Sequence, residues 1–350
     1  MTVFQNSHFN NHTAVHYFYD QASGLRAIIA IHGLGSANCA IGGARMYPYA
    51  TEEDALNDAL QLSQGMSLKS AMAQLPYGGA KAVIIGDPKK EKTPELLAAF
   101  AGCVDSLKGA YKTSEDIGIN LEDLKTLNQF STNVVGAGEK TVEPAVVTSL
   151  GVYSGIKAAC KYRYDNDSLK GKTVAVQGVG KVGMQLCERL YKDGASLIVS
   201  DIDQNALNKA HESYKAQVIP PTEICAAKAE VFAPCALGGS INTECLKTLK
   251  AHIIAGSANN QLADNSIGED LNKRDILYAP DFVINAGGLI DVVAEIEGYN
   301  YTDICQKTEA IGESLELIFQ RAEETGRSTN AIAIEMAKER EKTITRTAAE

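Results

Sequence analysis

The sequence predicts an α/β protein of two domains. Three observations support this fold class. The chain has 350 residues, enough for two ordinary hydrophobic cores; strand-like and helix-like segments alternate; and a glycine-rich loop follows a strand in the second half. We place the first domain at residues 1–137, completed by a C-terminal helix at about 326–350, and the second domain at residues 138–325.

The composition is that of a globular protein, with 45% hydrophobic and 22% charged residues. A net charge of −10 argues against nucleic acid as a partner, because phosphates attract a basic surface. No apolar run approaches the ~20 residues of a membrane span, and the first residues do not resemble a secretory signal. The eight cysteines are scattered and include no C-x-x-C pair. We therefore expect a cytoplasmic protein with free thiols and no membrane or nucleic-acid partner.

The chain begins with two predicted strands. Apolar and polar residues alternate from residue 14, Gly24 marks a turn, and the run 25–31 is apolar. His8, His12 and His16 are spaced four apart, which would form a metal-binding face on a helix. Because the local pattern is strand-like, we expect no metal site.

Helices and a third strand follow. Apolar residues at helical spacing predict a helix from Glu52 to Met66, and Thr93–Pro94 is a capping residue followed by proline at a helix start. Between these helices, Pro76–Lys81 is predicted to turn into an apolar strand, Ala82–Ile85.

The second half has a dinucleotide-domain rhythm. After a glycine-rich break at Gly136–Lys140, Pro144 opens a predicted helix that ends near Tyr164, and the tail from about Ala310 is predicted to be helical. The predicted strands are Thr173–Gln177, Leu197–Ser200, Val231–Phe232, Ile253–Ala255 and Phe282–Ile284.

The loop after the first of these strands is a G-x-G-x-x-G motif, formed by Gly178, Val179, Gly180, Lys181, Val182 and Gly183. Its position between a buried strand and an amphipathic helix is typical of a Rossmann-type domain, which binds the diphosphate of a dinucleotide at the helix N-terminus. Asp201 ends the next strand, where a carboxylate can bond the ribose hydroxyls. Asp203 adds a negative charge and no arginine is nearby, so the sequence favours NAD over NADP.

Several ordered segments resemble the leucine, phenylalanine and valine dehydrogenases, relatives of glutamate dehydrogenase. The resemblance runs over nearly the whole chain. Within this family the chain most resembles leucine dehydrogenase-like enzymes. The matching segments are Gly42–Met46, Gly78–Lys81, Glu115–Asp116, Pro144 with Thr148, Gly178–Gly183, Ala233–Gly238, Ala255–Leu262 and Ile284–Gly288.

The resemblance implies two domains, a substrate and oligomerisation domain and a Rossmann-type NAD-binding domain, with the active site in the cleft between them. It implies that Lys69 binds the substrate α-carboxylate, Lys81 activates water, and Asp116 relays a proton at the substrate nitrogen. It further implies that the remaining substrate-binding residues are Ile41, Gly42, Gly43, Ser114, Leu289 and Val292. The implied cofactor-binding residues, beside the loop and Asp201, are Thr148, Cys235, Ala236, Ala258, Asn259, Asn260 and Asn285.

The implied activity is the NAD-dependent, reversible oxidative deamination of an L-amino acid to the 2-oxo acid and ammonia, by a homo-oligomer. Water must attack an iminium in this reaction, so a base is needed near neutral pH. Burial and a second cation lower the pKa of a lysine, and Lys69 is the cation that we expect to act on Lys81.

The residues at the expected pocket predict an apolar substrate. In the glutamate branch of the family a lysine stands just before the two glycines, whereas this chain has Ile41 there, together with Leu289 and Val292. A carboxylate buried against these side chains would be unpaired. We therefore expect leucine, isoleucine or valine, with phenylalanine or tryptophan as the alternative.

Two other classes of protein could have the same nucleotide-binding fold. A 2-hydroxy-acid dehydrogenase normally needs a histidine acid–base, and neither His211 nor His252 has a recognisable arginine and carboxylate pattern around it. A non-catalytic nucleotide-binding protein would not need Lys69, Lys81 and Asp116.

Overall fold

The computed structural model describes residues 2–138 and 143–347. The chain divides into two compact units. The first comprises Met1–Lys140, Glu295–Gly298 and Ala337–Glu350, and the second comprises Thr141–Ala294 and Tyr299–Met336. Both units combine a β-sheet with helices, so the α/β fold class is confirmed. The domain boundaries at residues 137/138 and 325/326 stay a prediction.

The first unit is built on a five-stranded mixed sheet with the order β1-β2-β4-β3-β5. Its strands are β1 (Ala14–Asp20), β2 (Leu25–Ile31), β3 (Ala40–Tyr47), β4 (Gly78–Ile85) and β5 (Tyr111–Ser114). Its helices are α1 (Glu52–Met72), α2 (Pro94–Ser106) and α3 (Leu121–Leu127), and a 3-10 turn lies at Val3–Gln5. Strand β2 is antiparallel to both of its neighbours, whereas β3 is parallel to β4 and β5.

Both faces of this sheet are covered, which explains the continuous apolar run of β2. Leu25, Ala27, Ile29 and Ile31 pack in the cluster that contains Phe100 of α2, and Ile28 and Ala30 pack in the cluster that contains α1. The same alternation puts Ala80, Ala82 and Ile84 of β4 on the α2 side and Val83 on the α1 side. Odd-numbered positions of β4 and β3 therefore face α1.

Local signals fixed the ends of the first-unit helices. The Thr51 hydroxyl and the Asp54 carboxylate form a capping box at the start of α1, and the Thr93 hydroxyl accepts from the Leu96 amide at the start of α2. Helix α1 continues past the predicted Met66 to Met72, where the Arg340 guanidinium donates to the Met72 carbonyl. The predicted turn at Pro76–Lys81 is partly wrong, because β4 already begins at Gly78.

The second unit contains a six-stranded parallel sheet with the order β11-β10-β9-β6-β7-β8. Its strands are β6 (Thr173–Gln177), β7 (Ser196–Ser200), β8 (Gln217–Val218), β9 (Val231–Pro234), β10 (Ile253–Ile254) and β11 (Leu277–Tyr278). Read from β8, this is the strand order of a doubly wound dinucleotide-binding fold. The prediction of a Rossmann-type sheet is confirmed.

Helices precede, connect and follow these strands, and the part of the last helix from Ala337 onward belongs to the first unit. They are α4 (Pro144–Tyr164), α5 (Lys181–Lys192), α6 (Gln204–Tyr214), α7 (Thr243–Thr248), α8 (Ser266–Lys273), α9 (Asp281–Ile284), α10 (Gly287–Glu297), α11 (Tyr301–Thr325) and α12 (Thr329–Thr347), with a 3-10 turn at Ile224–Ala226. The predicted helical tail is two helices, separated where Gly326 adopts a positive φ of 69°. Its last residues, 348–350, lie outside the described residues, as do residues 139 and 140 of the predicted break and the next two residues.

Two expectations for the second unit are wrong. Phe282–Ile284 is part of the short helix α9, because Pro280 and Asp281 start a helical turn before the apolar residues. The thiols of Cys225 and Cys245 are joined in a disulfide, whereas the other six cysteines are free. Packing of the Ile224–Ala226 turn against α7 brings this pair together, and spacing along the chain does not show it.

Within the described residues, no helix is long and apolar enough to cross a membrane.

Candidate active site

Lys81 and Asp116 form a buried ion pair in the first unit. Lys81 lies in β4, opposite Ala30 of β2, on the face of the sheet that is covered by α1. The residue is 6% exposed. Asp116 follows β5, and its carboxylate meets the Lys81 Nζ directly. The two residues to which the resemblance gave catalytic roles, far apart in the sequence, are therefore neighbours.

Arg45 contacts the same carboxylate oxygen, Asp116 Oδ2. It lies in β3 at an odd position, so it shares the α1 face with Lys81. Its Nε donates to Asp116 Oδ2 at 3.1 Å, and its Nη1 donates to Asp58 of α1 at 2.9 Å. Asp116 is thus shared between two cations.

The surroundings shift both pKa values of the pair. Burial lowers the pKa of Lys81 below its ordinary value, against the opposing effect of the Asp116 carboxylate, and the Arg45 charge lowers it further. Burial alone would raise the pKa of Asp116, but the Lys81 and Arg45 charges outweigh it and the pKa is lowered. Arg45 is thus a cation that lowers the pKa of Lys81, and the expected effect of Lys69 stays a prediction.

The glycines beside this pair are required by backbone contacts. A Cβ at Gly42 would overlap the Ala80 carbonyl, and a Cβ at Gly43 would overlap the Glu115 carbonyl. A Cβ at Gly79 would overlap the backbone nitrogen of Ser67 in α1. Glycine at these positions lets β3, β4 and α1 approach closely enough to bring their side chains to one place.

The other substrate-site candidates of the first unit surround these strands. Ile41 is 1% exposed and pairs with Gly79 and Lys112. Ser114, at the end of β5, is buried and pairs with Gly43. Lys69 lies on α1, half-buried and engaged in interactions of its own.

In the second unit, the G-x-G-x-x-G motif forms the loop between β6 and α5. Gly178 has a φ of 93°, which favours glycine, and a Cβ there would lie 2.8 Å from the Ala236 Cβ. A Cβ at Gly183 would overlap the Gly178 carbonyl, so glycine lets α5 pack on the loop. Gly180 is exposed at the N-cap of α5 with nothing within 4 Å of a Cβ, which leaves room for a phosphate at the helix N-terminus.

The remaining loop residues and Asp201 complete this end of the sheet. Val179 is buried, Val182 is half-buried, and Lys181 is exposed at the first position of α5. Asp201 follows β7, and its Oδ2 accepts from the Val179 amide at 2.7 Å. Its Oδ1 accepts from the amides of Ile202 and Asp203. The carboxylate is therefore anchored beside the loop.

The other cofactor candidates form two groups in the second unit. Cys235 and Ala236 follow β9 beside Gly178. Asn285 Nδ2 donates to Asn259 Oδ1 at 2.8 Å and to the Ala258 carbonyl at 3.4 Å.

Asn285 offers an acceptor to a ligand. Its Oδ1 is buried and has no hydrogen-bond partner among the described residues, so an amide donor would satisfy it. Asn260, which directly follows Asn259, has a positive φ of 49°. Thr148 of α4 lies against Gly287 and Gly288, which follow Asn285. Leu289 is buried in α10 and Val292 is half-buried there.

The described residues contain no group of three histidine, cysteine, aspartate or glutamate side chains that could hold a metal ion. Of the three spaced histidines, His12 is buried and bonds through Nε2 to the Leu60 carbonyl and the Ser63 hydroxyl.

Sequence reasoning assigned no role to Arg45, which contacts Asp116, or to Asp58 and Tyr49, which extend the chain of contacts from Arg45. One signal was available: Arg45 is the single charged residue in the run Ala40–Tyr47. A charge in the middle of an otherwise buried strand needs a partner, but the partner cannot be identified from spacing.

The parallel sheet, the glycine loop and the buried lysine–aspartate pair together define a dinucleotide-binding dehydrogenase with ionisable chemistry in a separate unit. Comparison with known proteins agrees. Residues 10–132 match the family model described as Glu/Leu/Phe/Val dehydrogenase, dimerisation domain, and residues 142–209 and 199–349 match Glutamate/Leucine/Phenylalanine/Valine dehydrogenase. The chain belongs to this family of amino-acid dehydrogenases, oxidoreductases that act on a CH–NH2 group and depend on a pyridine nucleotide.

Individual relatives cover most of the chain. It is 44% identical over 324 residues to leucine dehydrogenase of Bacillus subtilis, covering 92% of this chain and 89% of that protein. It is 41% identical over 339 residues to phenylalanine dehydrogenase of Caldalkalibacillus thermarum, covering 95% and 91%. The crystal structure of L-tryptophan dehydrogenase from Nostoc punctiforme matches with a TM-score of 0.87 and 42% identity, covering 96% of this chain and 97% of that one.

Proposed function

We propose that this protein catalyses the NAD-dependent, reversible oxidative deamination of an apolar L-amino acid to the 2-oxo acid and ammonia. The observation that carries the proposal is the buried Lys81–Asp116 pair in one unit, in a chain whose other unit has a dinucleotide-binding sheet and loop. In the oxidative direction the amino acid and water are consumed, ammonium and a 2-oxo acid are released, and two electrons leave as hydride.

The residues of the second unit fit a dinucleotide. The open N-terminus of α5 at Gly180 suits the diphosphate, Asp201 suits the ribose, and the buried Asn285 Oδ1 suits a carboxamide donor. When bound, the nicotinamide would accept the hydride from the substrate Cα. We propose that Thr148, Cys235, Ala236, Ala258, Asn259 and Asn260 contact the same cofactor.

The choice of NAD over NADP rests on Asp201. Three backbone amides hold its carboxylate in place, so it cannot easily turn away from a 2′-phosphate. Asp203 lies two residues further along and is itself fixed as the N-cap of α6. A phosphate there would meet two fixed negative charges.

The residues of the first unit would handle the substrate and its protons. We propose that Lys69 binds the α-carboxylate and that Gly42, Gly43 and Ser114 border the substrate. Lys81 in its neutral form would take a proton from the attacking water, which its lowered pKa favours. Asp116, an anion held by two cations, would accept and return a proton at the substrate nitrogen.

An amino acid with an apolar side chain is the best-supported substrate. We propose that Ile41 of the first unit and Leu289 and Val292 of the second meet it, and each supplies only hydrocarbon. Burial gains about 0.8 kcal/mol per CH₂, whereas a substrate carboxylate would lose its hydration without a partner. The leucine dehydrogenase similarity supports a branched-chain substrate. The similarity to the tryptophan and phenylalanine enzymes supports an aromatic substrate as the second candidate.

The assay is NADH formation with a panel of L-leucine, L-valine, L-phenylalanine, L-tryptophan and L-glutamate, repeated with NADP. We expect the highest kcat/KM with L-leucine and NAD. An aromatic amino acid ranking first would select the second candidate, and L-glutamate ranking first would contradict the pocket argument. No NADH with any amino acid would contradict the proposed function itself.

We also propose a homo-oligomer. The N-terminal family model is described as a dimerisation domain, and β1 is an edge strand of its sheet that exposes Tyr17 and Tyr19. Sedimentation velocity would measure the assembly, and a monomer at micromolar concentration would refute the proposal.

A further inference from the structure

Arg45 joins two carboxylates that come from different elements. Its Nε donates to Asp116 Oδ2 at 3.1 Å, and its Nη1 donates to Asp58 Oδ2 at 2.9 Å and to Asp58 Oδ1 at 3.3 Å. Its side chain is 20% exposed, so these are not screened surface contacts. The guanidinium ties the segment after β5 to helix α1.

The outer end of this arrangement is also fixed. The Tyr49 hydroxyl donates to Asp58 Oδ2. Burial, with the neighbouring Asp58 carboxylate, raises the pKa of Tyr49, so the phenol keeps its proton and remains a donor. The residues Tyr49, Asp58, Arg45, Asp116 and Lys81 form one chain of contacts in which the four charges alternate in sign.

We propose that Arg45 is a positioning residue that fixes the Asp116 carboxylate against Lys81, and that Asp58 and Tyr49 hold Arg45 in place for this purpose. The inference rests on the proposed roles of Lys81 and Asp116. It adds three residues that neither the sequence nor the family resemblance assigned to the reaction.

The need for Arg45 follows from the chemistry of Lys81. To activate water, Lys81 must be neutral during part of the cycle, and at that point its ion pair with Asp116 is lost. An arginine stays protonated throughout. Arg45 is therefore the cation that keeps Asp116 anionic and in place while Lys81 exchanges its proton.

Arginine also suits the geometry better than lysine. The planar guanidinium presents Nε and Nη1 at a fixed separation, so one side chain reaches both Asp116 and Asp58. An ammonium at this position would keep the charge without fixing both carboxylates.

Removing different charged groups around Lys81 should shift its pKa in opposite directions. Arg45 of β3 lowers the pKa of Lys81, and both Asp116 and Asp58 of α1 raise it. Tyr111 of β5 is near enough for the Asp116 charge to act on it, and burial raises the pKa of its phenol, which stays neutral. Removing the Arg45 charge should therefore move the alkaline rise of activity to higher pH, and removing the Asp58 charge should move it to lower pH. Damage to folding alone would not produce opposite shifts.

The experiment measures kcat, KM and the pH profile of oxidative deamination for Arg45→Gln, Arg45→Lys, Asp58→Asn and Tyr49→Phe. For Arg45→Gln we expect kcat to fall roughly a hundredfold, as for a misplaced catalytic group, with a smaller change in KM. Arg45→Lys should keep the wild-type inflection but recover little of kcat. Tyr49→Phe removes no charge, so it should lower kcat modestly at an unchanged inflection.

Controls and outcomes separate this inference from the proposed function. Arg26→Gln removes an exposed arginine of β2 in the same sheet, and Glu53→Gln removes an exposed acid of α1; both should match the wild type. Wild-type kcat in Arg45→Gln, or shifts of the same sign in Arg45→Gln and Asp58→Asn, would overturn the inference. If Arg45→Gln does not fold, wild-type kcat in Arg45→Lys, or an inflection in Asp58→Asn that does not move to lower pH, would overturn the inference. Full turnover in Lys81 and Asp116 variants would instead overturn the proposed roles on which it rests.

Discussion

Replacing Lys81 with methionine tests the proposed base directly. Methionine keeps an unbranched apolar chain at a position that is 6% exposed, but it removes the amine. General base catalysis contributes about 10²–10⁴-fold, so we expect turnover to fall by that order. Binding of NADH should be unchanged, because the residues proposed to hold it lie in the second unit.

The same substitution has a stability cost that the structure bounds. Removing one partner of a buried ion pair costs about 3–5 kcal/mol when the other charge is left unpaired. In Lys81→Met, Asp116 still has Arg45 at 3.1 Å, and the Asp116 side chain is 21% exposed. We therefore expect the free energy of unfolding to fall by at most about 3 kcal/mol. Adding Asp116→Asn to Lys81→Met also removes the carboxylate charge that Lys81 had paired. The double variant should therefore regain most of the free energy of unfolding without regaining turnover.

Turnover is measured as NADH formation with L-leucine, and the free energy of unfolding from urea denaturation followed by circular dichroism. Lys89→Met, at an exposed position shortly after β4, is the matched control and should change neither quantity. Turnover of Lys81→Met within about tenfold of the wild type would refute the base assignment. Recovery of turnover in the double variant would refute the roles of both residues.

Three further predictions follow from the same contacts. Asp201→Asn should reduce the preference for NAD over NADP by about fivefold or more in kcat/KM, since two charges at 4 Å interact by about 1 kcal/mol even in water and about 1.4 kcal/mol is tenfold; an unchanged preference would contradict the use of Asp201. Gly79→Ala should lower the free energy of unfolding, measured by urea denaturation, by about 3 kcal/mol or more, because its Cβ would overlap the backbone of α1. Its control is Gly102→Ala, in open space on α2, which should raise the free energy of unfolding by up to about 1 kcal/mol. Equal effects would contradict the packing argument. The rate of oxidative deamination should rise with pH, with an inflection below the ordinary lysine pKa of about 10.4. The reason is that burial lowers the pKa of Lys81 and the neutral amine is the active form. An inflection at or above the ordinary value would contradict this form of catalysis.

Elements with local start and stop signals were predictable from the sequence. Helix α4 runs from Pro144 to Tyr164, and strand β6 covers Thr173–Gln177, both as predicted. Proline at a first helical position and glycine after a buried strand act within a few residues, so no knowledge of packing is needed.

Elements whose reason lies in packing were missed or mistaken. The apolar residues Phe282–Ile284 fit a strand or a helix equally well, and the turn after Pro280 decided for α9. Strand β3 contains two glycines and an arginine, a poor strand pattern that makes sense only beside Ala80 and α1. The disulfide between Cys225 and Cys245 likewise depends on tertiary contact.

The candidate site divides in the same way. The resemblance singled out Lys81 and Asp116, and the structure brings them together. It could not show that Arg45 contacts Asp116, because that contact depends on the register of β3 and on Asp58 of α1. A pKa is set by all the charges around a group, and a sequence shows only the group itself.

The glycine segments that identify the family say little about its substrate. Gly42, Gly43 and Gly79 are needed because a Cβ would overlap neighbouring backbone, whatever molecule is bound. A match at such positions therefore reports the fold, and the chain as a whole is similar to leucine, phenylalanine and tryptophan enzymes alike. Substrate choice must be sought at side chains that backbone packing leaves free to vary. Val292, half-buried on α10, is such a position, whereas the fully buried Ile41 is also constrained by its own sheet. Val292→Ala should thus change the ratio of kcat/KM for L-leucine and L-phenylalanine, by no more than the 10–200-fold that methylene-scale changes allow, and an unchanged ratio would remove Val292 from the pocket.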